Sequence, residues 1–192
     1  NKLNWRLLSS NPNAIHILEK NPDKVDWKGL SGNPNAIHIL EKNPDKVDWE
    51  GLSGNPNAIH LLDKLNEDGV MFWGLLLNPN AIHIIEKNLD KLNDDDWGCL
   101  CKNPNAVHLL EKNLDKICWE RLCQNPNAIH IIEQNLGQLE KEAWYWLAAN
   151  PNAIYILEEN LDKMTTDMLW YNGGWYPLSR NPNAIHILEK NL

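Results

Sequence analysis

Every histidine of the chain is followed three residues later by an acid. The pairs are His16/Glu19, His38/Glu41, His60/Asp63, His83/Glu86, His108/Glu111, His130/Glu133 and His186/Glu189, and Tyr155/Glu158 is an eighth copy without the imidazole. On a helix, residues three apart share a face. An imidazole and a carboxylate at that spacing hold paired metal ions when several helices turn them inward together. Pointing outward from helices ~8–10 Å apart, each pair offers only two ligands and makes a weak chelate. The spacing therefore predicts a solvated ladder that can serve as a partner-binding stripe, with no metal and no cofactor.

The remaining reactive side chains give no constellation for catalysis. Cys101 and Cys123 fall at the same place in a repeated unit as Ser9, Ser31, Ser53, Leu76, Ala148 and Ser179. That is a site for small residues, so these cysteines read as small buried apolar groups. Equivalent places one repeat apart are too distant for a disulfide, whose Cα atoms lie ~5.5 Å apart. Together with Cys99 and Cys118 they match no standard zinc spacing. Four free thiols suit a reducing compartment. No glycine-rich phosphate loop follows a strand. A catalyst needs unique residues, and these are copies, so the expected chain is not an enzyme and takes no small-molecule substrate.

Aromatic residues form a second set. Trp27 and its counterparts stand three residues before a leucine, a spacing that predicts core. Trp73, Trp146 and Trp170 stand outside that phase and are expected to be more exposed. The stretch Met164–Pro177 (MTTDMLWYNGGWYP) carries Trp170, Tyr171, Trp175 and Tyr176 around two glycines. Aromatic-rich edge loops are favoured contact material, so these four residues join the histidines as candidate partner-binding positions.

What must position all of these residues is a repeat. Asn-Pro-Asn-Ala recurs at Asn11, Asn33, Asn55, Asn78, Asn103, Asn125, Asn150 and Asn181, in steps of 22, 22, 23, 25, 22, 25 and 31 residues. An aromatic lies six residues before each (Trp5, Trp27, Trp49, Phe72, Trp97, Trp119, Trp144, Trp175) and a leucine three before. A period in this range marks a stacked array. The interval from aromatic to Asn-Pro is constant, so every insertion falls in the connection before the aromatic. Asp94–Asp96, Leu139–Glu142 and Met164–Gly174 should then lie along one edge, where extra residues disturb no packing.

Within the unit, Asn11 reads as an N-cap and Pro12 as the first residue of a helix A running to about Lys20. Ala14, Ile15, Ile17 and Leu18 fall on one side of it, and Asn13, His16, Glu19 and Lys20 on the other. Asn21 suits a left-handed cap, with Pro22 ending the helix. Leu89, Leu114, Leu136 and Leu161 replace that proline later and soften the stop. A shorter helix B, capped by Asp26, presents Trp27 and Leu30 inward, as one or two turns of α or 3-10 helix. A second reading starts helix B at Asn21-Pro22. The alanines of the tetrad imply close backbone approach. The fold class is all-α: a right-handed α-solenoid of eight repeats over residues 1–192. It opens inside a B element and closes on an A helix, so it reads as a fragment of a longer array.

The motif W-x-x-L-S-x-N-P-N-A-I-x-I-L-E-K-N is carried by Trp27, Leu30, Ser31, Asn33, Pro34, Asn35, Ala36, Ile37, Leu40, Glu41, Lys42 and Asn43. With its counterparts in every unit it resembles tandem repeats in proteins of giant, nucleocytoplasmic large DNA viruses. The resemblance covers essentially the whole chain; it implies an origin and no activity. The alternation of a longer and a shorter helix is similar in architecture to the leucine-rich repeat variant and to HEAT-type arrays.

Composition narrows the partners. The formal charge is −8 with mixed signs along the surface, which argues against nucleic acid. No apolar run approaches the ~20 residues of a membrane span, and the residues show no signal-peptide pattern and no Asn-x-Ser/Thr sequon. The expected function is an intracellular scaffold for protein–protein contacts, viral by its resemblance. The alternative is a structural protein that assembles end to end or forms part of a particle.

Overall fold

The computed structural model describes residues 3–65, 73–163 and 175–191. The regular structure in these residues is all helical, with no strand among them. The chain divides into two compact units, Asn1–Leu92 and Asn93–Leu192. Unit 1 contains α1 (Trp5–Ser9), α2 (Ile15–Glu19), α3 (Trp27–Ser31), α4 (Ile37–Glu41), α5 (Trp49–Ser53), α6 (Ile59–Leu65), α7 (Trp73–Leu77) and α8 (Ile82–Glu86). Unit 2 contains α9 (Asp94–Leu100), α10 (Val107–Glu111), α11 (Trp119–Leu122), α12 (Ile129–Gln134), α13 (Lys141–Ala148), α14 (Ile154–Glu159), α15 (Trp175–Ser179) and α16 (Ile185–Glu189). Odd-numbered helices are B helices and even-numbered ones A helices. Within each unit the B helices stack side by side, α1 on α3 on α5 on α7 and α9 on α11 on α13 on α15. This is the repeated pattern of an all-α solenoid.

Helix A is shorter than the spacing predicts. Asn11 does cap, its Oδ1 accepting the Asn13 N–H at 3.0 Å, but Pro12–Ala14 form a 3-10 turn and the α-helix begins at Ile15. Ala14 at φ −98°, ψ 4° is the break between the two. Nor is Asn21 a left-handed cap. Its φ of −136° is extended, and its Nδ2 instead donates to the Ile17 carbonyl at 2.9 Å, satisfying a helix-end acceptor. Pro22–Lys24 form a separate 3-10 turn, an element that the first reading of helix B left out and the second took as the start of that helix; it recurs at Pro44–Lys46, Leu89–Lys91, Leu114–Lys116, Leu136–Gln138 and Leu161–Lys163. Replacing that proline by leucine leaves α8 and α10 at five residues and lengthens α12 and α14 to six. Helix B is α-helical, and Asp26 caps α3 by accepting the Gly29 N–H at 2.7 Å.

The core follows the phase of the repeat. The alanines of all eight tetrads are at most 3% exposed, and Leu30, Leu52, Leu100, Leu122, Leu147 and Leu178 are fully buried. The tryptophans are less uniform. Trp97 and Trp144 are 4% exposed, whereas Trp5, Trp27, Trp49, Trp119 and Trp175 are only half-buried. The insertions explain the difference. Asp94–Asp96 form the first turn of α9, and Lys141 and Glu142 begin α13, so the extra residues extend helix B backwards in the two repeats whose ring is buried. Both insertions lie at the N-terminal end of a B helix; Met164–Gly174 lies outside the described residues. An Asn93/Asp96 capping box closes the α9 extension.

In unit 1 the B helices approach so closely that only glycine fits between them. A Cβ on Gly29 would stand 2.9 Å from the Arg6 carbonyl oxygen, and one on Gly51 2.7 Å from that of Lys28. Alanine in place of a mid-helix glycine ordinarily stabilises by roughly 1 kcal/mol. Gly51→Ala is expected to do the opposite, lowering stability by about 1–3 kcal/mol through overpacking against backbone. Gly54→Ala, whose Cβ would meet nothing nearer than 4.0 Å, should leave the urea midpoint nearly unchanged. Equal midpoints for the two variants would refute the close approach.

Candidate interaction face

The polar seam between repeats is made by the asparagines. The first asparagine of a tetrad reaches back to the repeat before it. Asn33 Nδ2 donates to the carbonyls of Ser9 and Asn11 at 2.9 and 3.0 Å, Asn55 to those of Ser31 and Asn33 at the same distances, and Asn78 to those of Ser53 and Asn55 at 3.1 Å. Unit 2 repeats this at Asn125, Asn150 and Asn181, with distances of 2.9–3.1 Å. These six amides are at most 4% exposed. Each Oδ1 also accepts the N–H two residues on, as Asn55 does from Asn57 at 3.0 Å. Both Nδ2 hydrogens and the oxygen are therefore used, as a buried amide requires. Local reading found the cap and missed this lateral contact.

The second asparagine does the same at the surface. Asn35, Asn57 and Asn80 donate to the carbonyls of Pro12, Pro34 and Pro56 at 3.0 Å, and Asn127, Asn152 and Asn183 act alike in unit 2. Three and six residues further along the same A helix stand the imidazole and the acid.

All seven histidines are exposed, as the helical phase predicts. Their acid partner is not the one three residues on. His38 Nε2 lies 2.9 Å from Glu19, His60 2.9 Å from Glu41 and His83 2.8 Å from Asp63, each an acid of the preceding repeat. In unit 2, His130 meets Glu111 and His186 meets Glu158 at 2.6 Å, and the Tyr155 hydroxyl donates to Glu133 at 3.1 Å. Partial burial, aided by Glu133, raises the Tyr155 phenol above its ordinary value. His16 and His108 occupy the same exposed place. Each half-exposed pair contributes about 0–1 kcal/mol. The row therefore sits in a defined geometry that a partner can displace at little cost.

The structure does not gather these groups into a reactive centre. Among the described residues no cluster of three or more His, Cys, Asp or Glu side chains could hold a metal ion. The four cysteines are free thiols, with Cys118 half-buried and the others buried. Burial pushes the Cys101 thiol up to about 11 and that of Cys123 up to about 12. Cys101 takes over from Ser9 and Ser31, whose hydroxyls accept the N–H groups of Asp26 and Asp48 at 3.0 and 2.9 Å, and its sulfur accepts that of Cys118. Iodoacetamide is expected to label Cys118 in the folded protein, and Cys101 and Cys123 only after denaturation. Peptide mass spectrometry reads this, and rapid labelling of Cys123 in the folded state would contradict the burial.

The aromatic candidates separate. Trp73 is 68% exposed and Trp146 40%, with the Trp146 ring edge-on to Tyr145 at 5.3 Å. Trp175 is half-buried and Tyr176 44% exposed, both on α15. Trp170 and Tyr171 lie outside the described residues. No described helix is long and apolar enough to cross a membrane. Comparison with family models, curated proteins and solved structures finds no match to this chain.

Proposed function

We propose that the chain is a non-enzymatic scaffold for protein–protein contacts, docking its partner on the exposed side of the A helices. One observation carries this reading. Asparagine, imidazole and acid recur there in register, each tied to the neighbouring repeat by a hydrogen bond, so the face is ordered before a partner arrives. The four free thiols support a reducing, intracellular setting, and the likeness to giant-virus repeats supports an infected cell as the place to look. Immobilised chain exposed to extract from infected cells should retain a defined protein. The triple variant Glu19→Lys, Glu41→Lys, Asp63→Lys should lose it. Retention of the same protein by the variant, or of none by either chain, would overturn the assignment of this face.

A second reading, a structural component that assembles end to end, draws on the polarity of the asparagine seam. Within each unit the seam asparagines donate amides backwards to carbonyls of the preceding repeat, and such heterologous contacts propagate. Light scattering across a concentration series separates the two. A constant mass supports the scaffold, and growth with concentration supports assembly.

A further inference from the structure

A shallow groove of about 220 Å³ opens in unit 1 between α2 with the turn that follows it and α4. Its floor is apolar, made by Leu18, Val25, Ile39 and the half-buried Trp27, and its rim carries Lys42 and Lys46. Glu19, the acid at this groove, is already engaged by His38 at 2.9 Å. Lys46 differs from three of its counterparts. Lys24, Lys116 and Lys163 bridge to the adjacent aspartates at 3.2, 3.5 and 3.1 Å, whereas the Lys46 ammonium lies 5.0 Å from the centre of the Trp27 ring. Two cations thus overlook an apolar floor in a chain whose formal charge is −8.

An apolar floor favours an apolar side chain in proportion to the area removed from water, and a charged rim selects by sign. We propose that this groove receives one apolar side chain of an extended acidic peptide, whose flanking carboxylates meet Lys42 and Lys46. The proposal deepens the scaffold reading and rests on it. A nucleic acid fits less well, because two cations neutralise little of its continuous line of phosphates and it has no aliphatic side chain for the floor. Unit 2 provides an internal comparison. Leu110, Ile117, Trp119 and Ile131 keep the floor positions apolar, but Gln134 and Gln138 stand where unit 1 has Lys42 and Lys46.

The test uses the full chain and a fluorescein-labelled peptide, Glu-Asp-Glu-Leu-Glu-Asp-Glu, followed by anisotropy at low salt and by the Trp27 indole NMR signal. Binding with a shift of that signal is expected. Lys42→Gln with Lys46→Gln, which installs the residues the fold already carries at the corresponding place, should weaken binding about tenfold, as charge complementarity requires. Serine for the peptide leucine should weaken it comparably. No binding, equal binding by the double variant, equal binding of the serine peptide, or displacement by single-stranded oligonucleotide at lower concentration than by unlabelled peptide would each overturn the proposal. A failed probe alongside a partner still lost by the acid-to-lysine triple variant overturns the groove and leaves the scaffold standing. A failed probe with no partner retained overturns both.

Discussion

Asn55→Asp is expected to destabilise unit 1 by about 3–5 kcal/mol, the scale of an uncompensated buried charge. The substitution keeps the side chain's size and changes its hydrogen bonding. Asn55 is fully buried and donates both Nδ2 hydrogens, to Ser31 and Asn33 carbonyls at 2.9 and 3.0 Å. Aspartate would aim a carboxylate oxygen at those two acceptors and bring a charge out of water. Burial disfavours the ionised form, so the folded-state pKa of the new aspartate should exceed its unfolded value. The folded protein then binds the extra proton, and the penalty should shrink as pH falls through that folded-state pKa. Asn57→Asp, at an exposed position whose amide makes one contact to Pro34 at 3.0 Å, should cost less than about 1 kcal/mol, the scale of one ordinary hydrogen bond. Urea unfolding of the two variants at neutral and mildly acidic pH checks both statements. Similar losses at the two positions would contradict the ladder.

The second large effect concerns tryptophans that look alike in sequence. Trp144→Ala should cost about 3–5 kcal/mol, as truncating a fully buried aromatic does. Trp49→Ala removes a ring that is partly exposed, and a smaller loss, roughly two-thirds of that or a little more, is expected on area grounds. Trp73→Ala, with the ring 68% exposed, should cost only about a third of the Trp144 loss on the same grounds. Chemical denaturation ranks the three variants. Equal losses from Trp144 and Trp49 would show that the extra turn of α13 does not set burial.

What was legible in the sequence was whatever repeats at helical spacing. Ala36, Leu40 and Leu30 are buried and His38 exposed because an amphipathic period fixes which way each side chain points. The helix boundaries were not legible, because Asn-Pro looks locally like a cap and a first helical residue. At Asn11 it is both a cap and the start of a 3-10 turn, and the α-helix begins only after the break at Ala14. Nor did the seam between repeats show itself. Asn33 satisfies local capping rules, so nothing local required it to reach Ser9, twenty-four residues earlier. The partner of His38 is hidden for the same reason. Spacing along one helix points to Glu41, whereas stacking brings Glu19 within 2.9 Å.

Hydrogen exchange at the asparagine side-chain amides, resolved by NMR, tests the seam most directly. The Nδ2 protons of Asn33, Asn55, Asn78, Asn125, Asn150 and Asn181 should exchange only through large-scale opening of their units. Those of Asn35, Asn57, Asn127 and Asn152 should exchange rapidly from the folded state, being at the surface. Fast exchange at both sets, with the backbone amides of the A helices still protected, would contradict the claim that buried asparagines tie one repeat to the next.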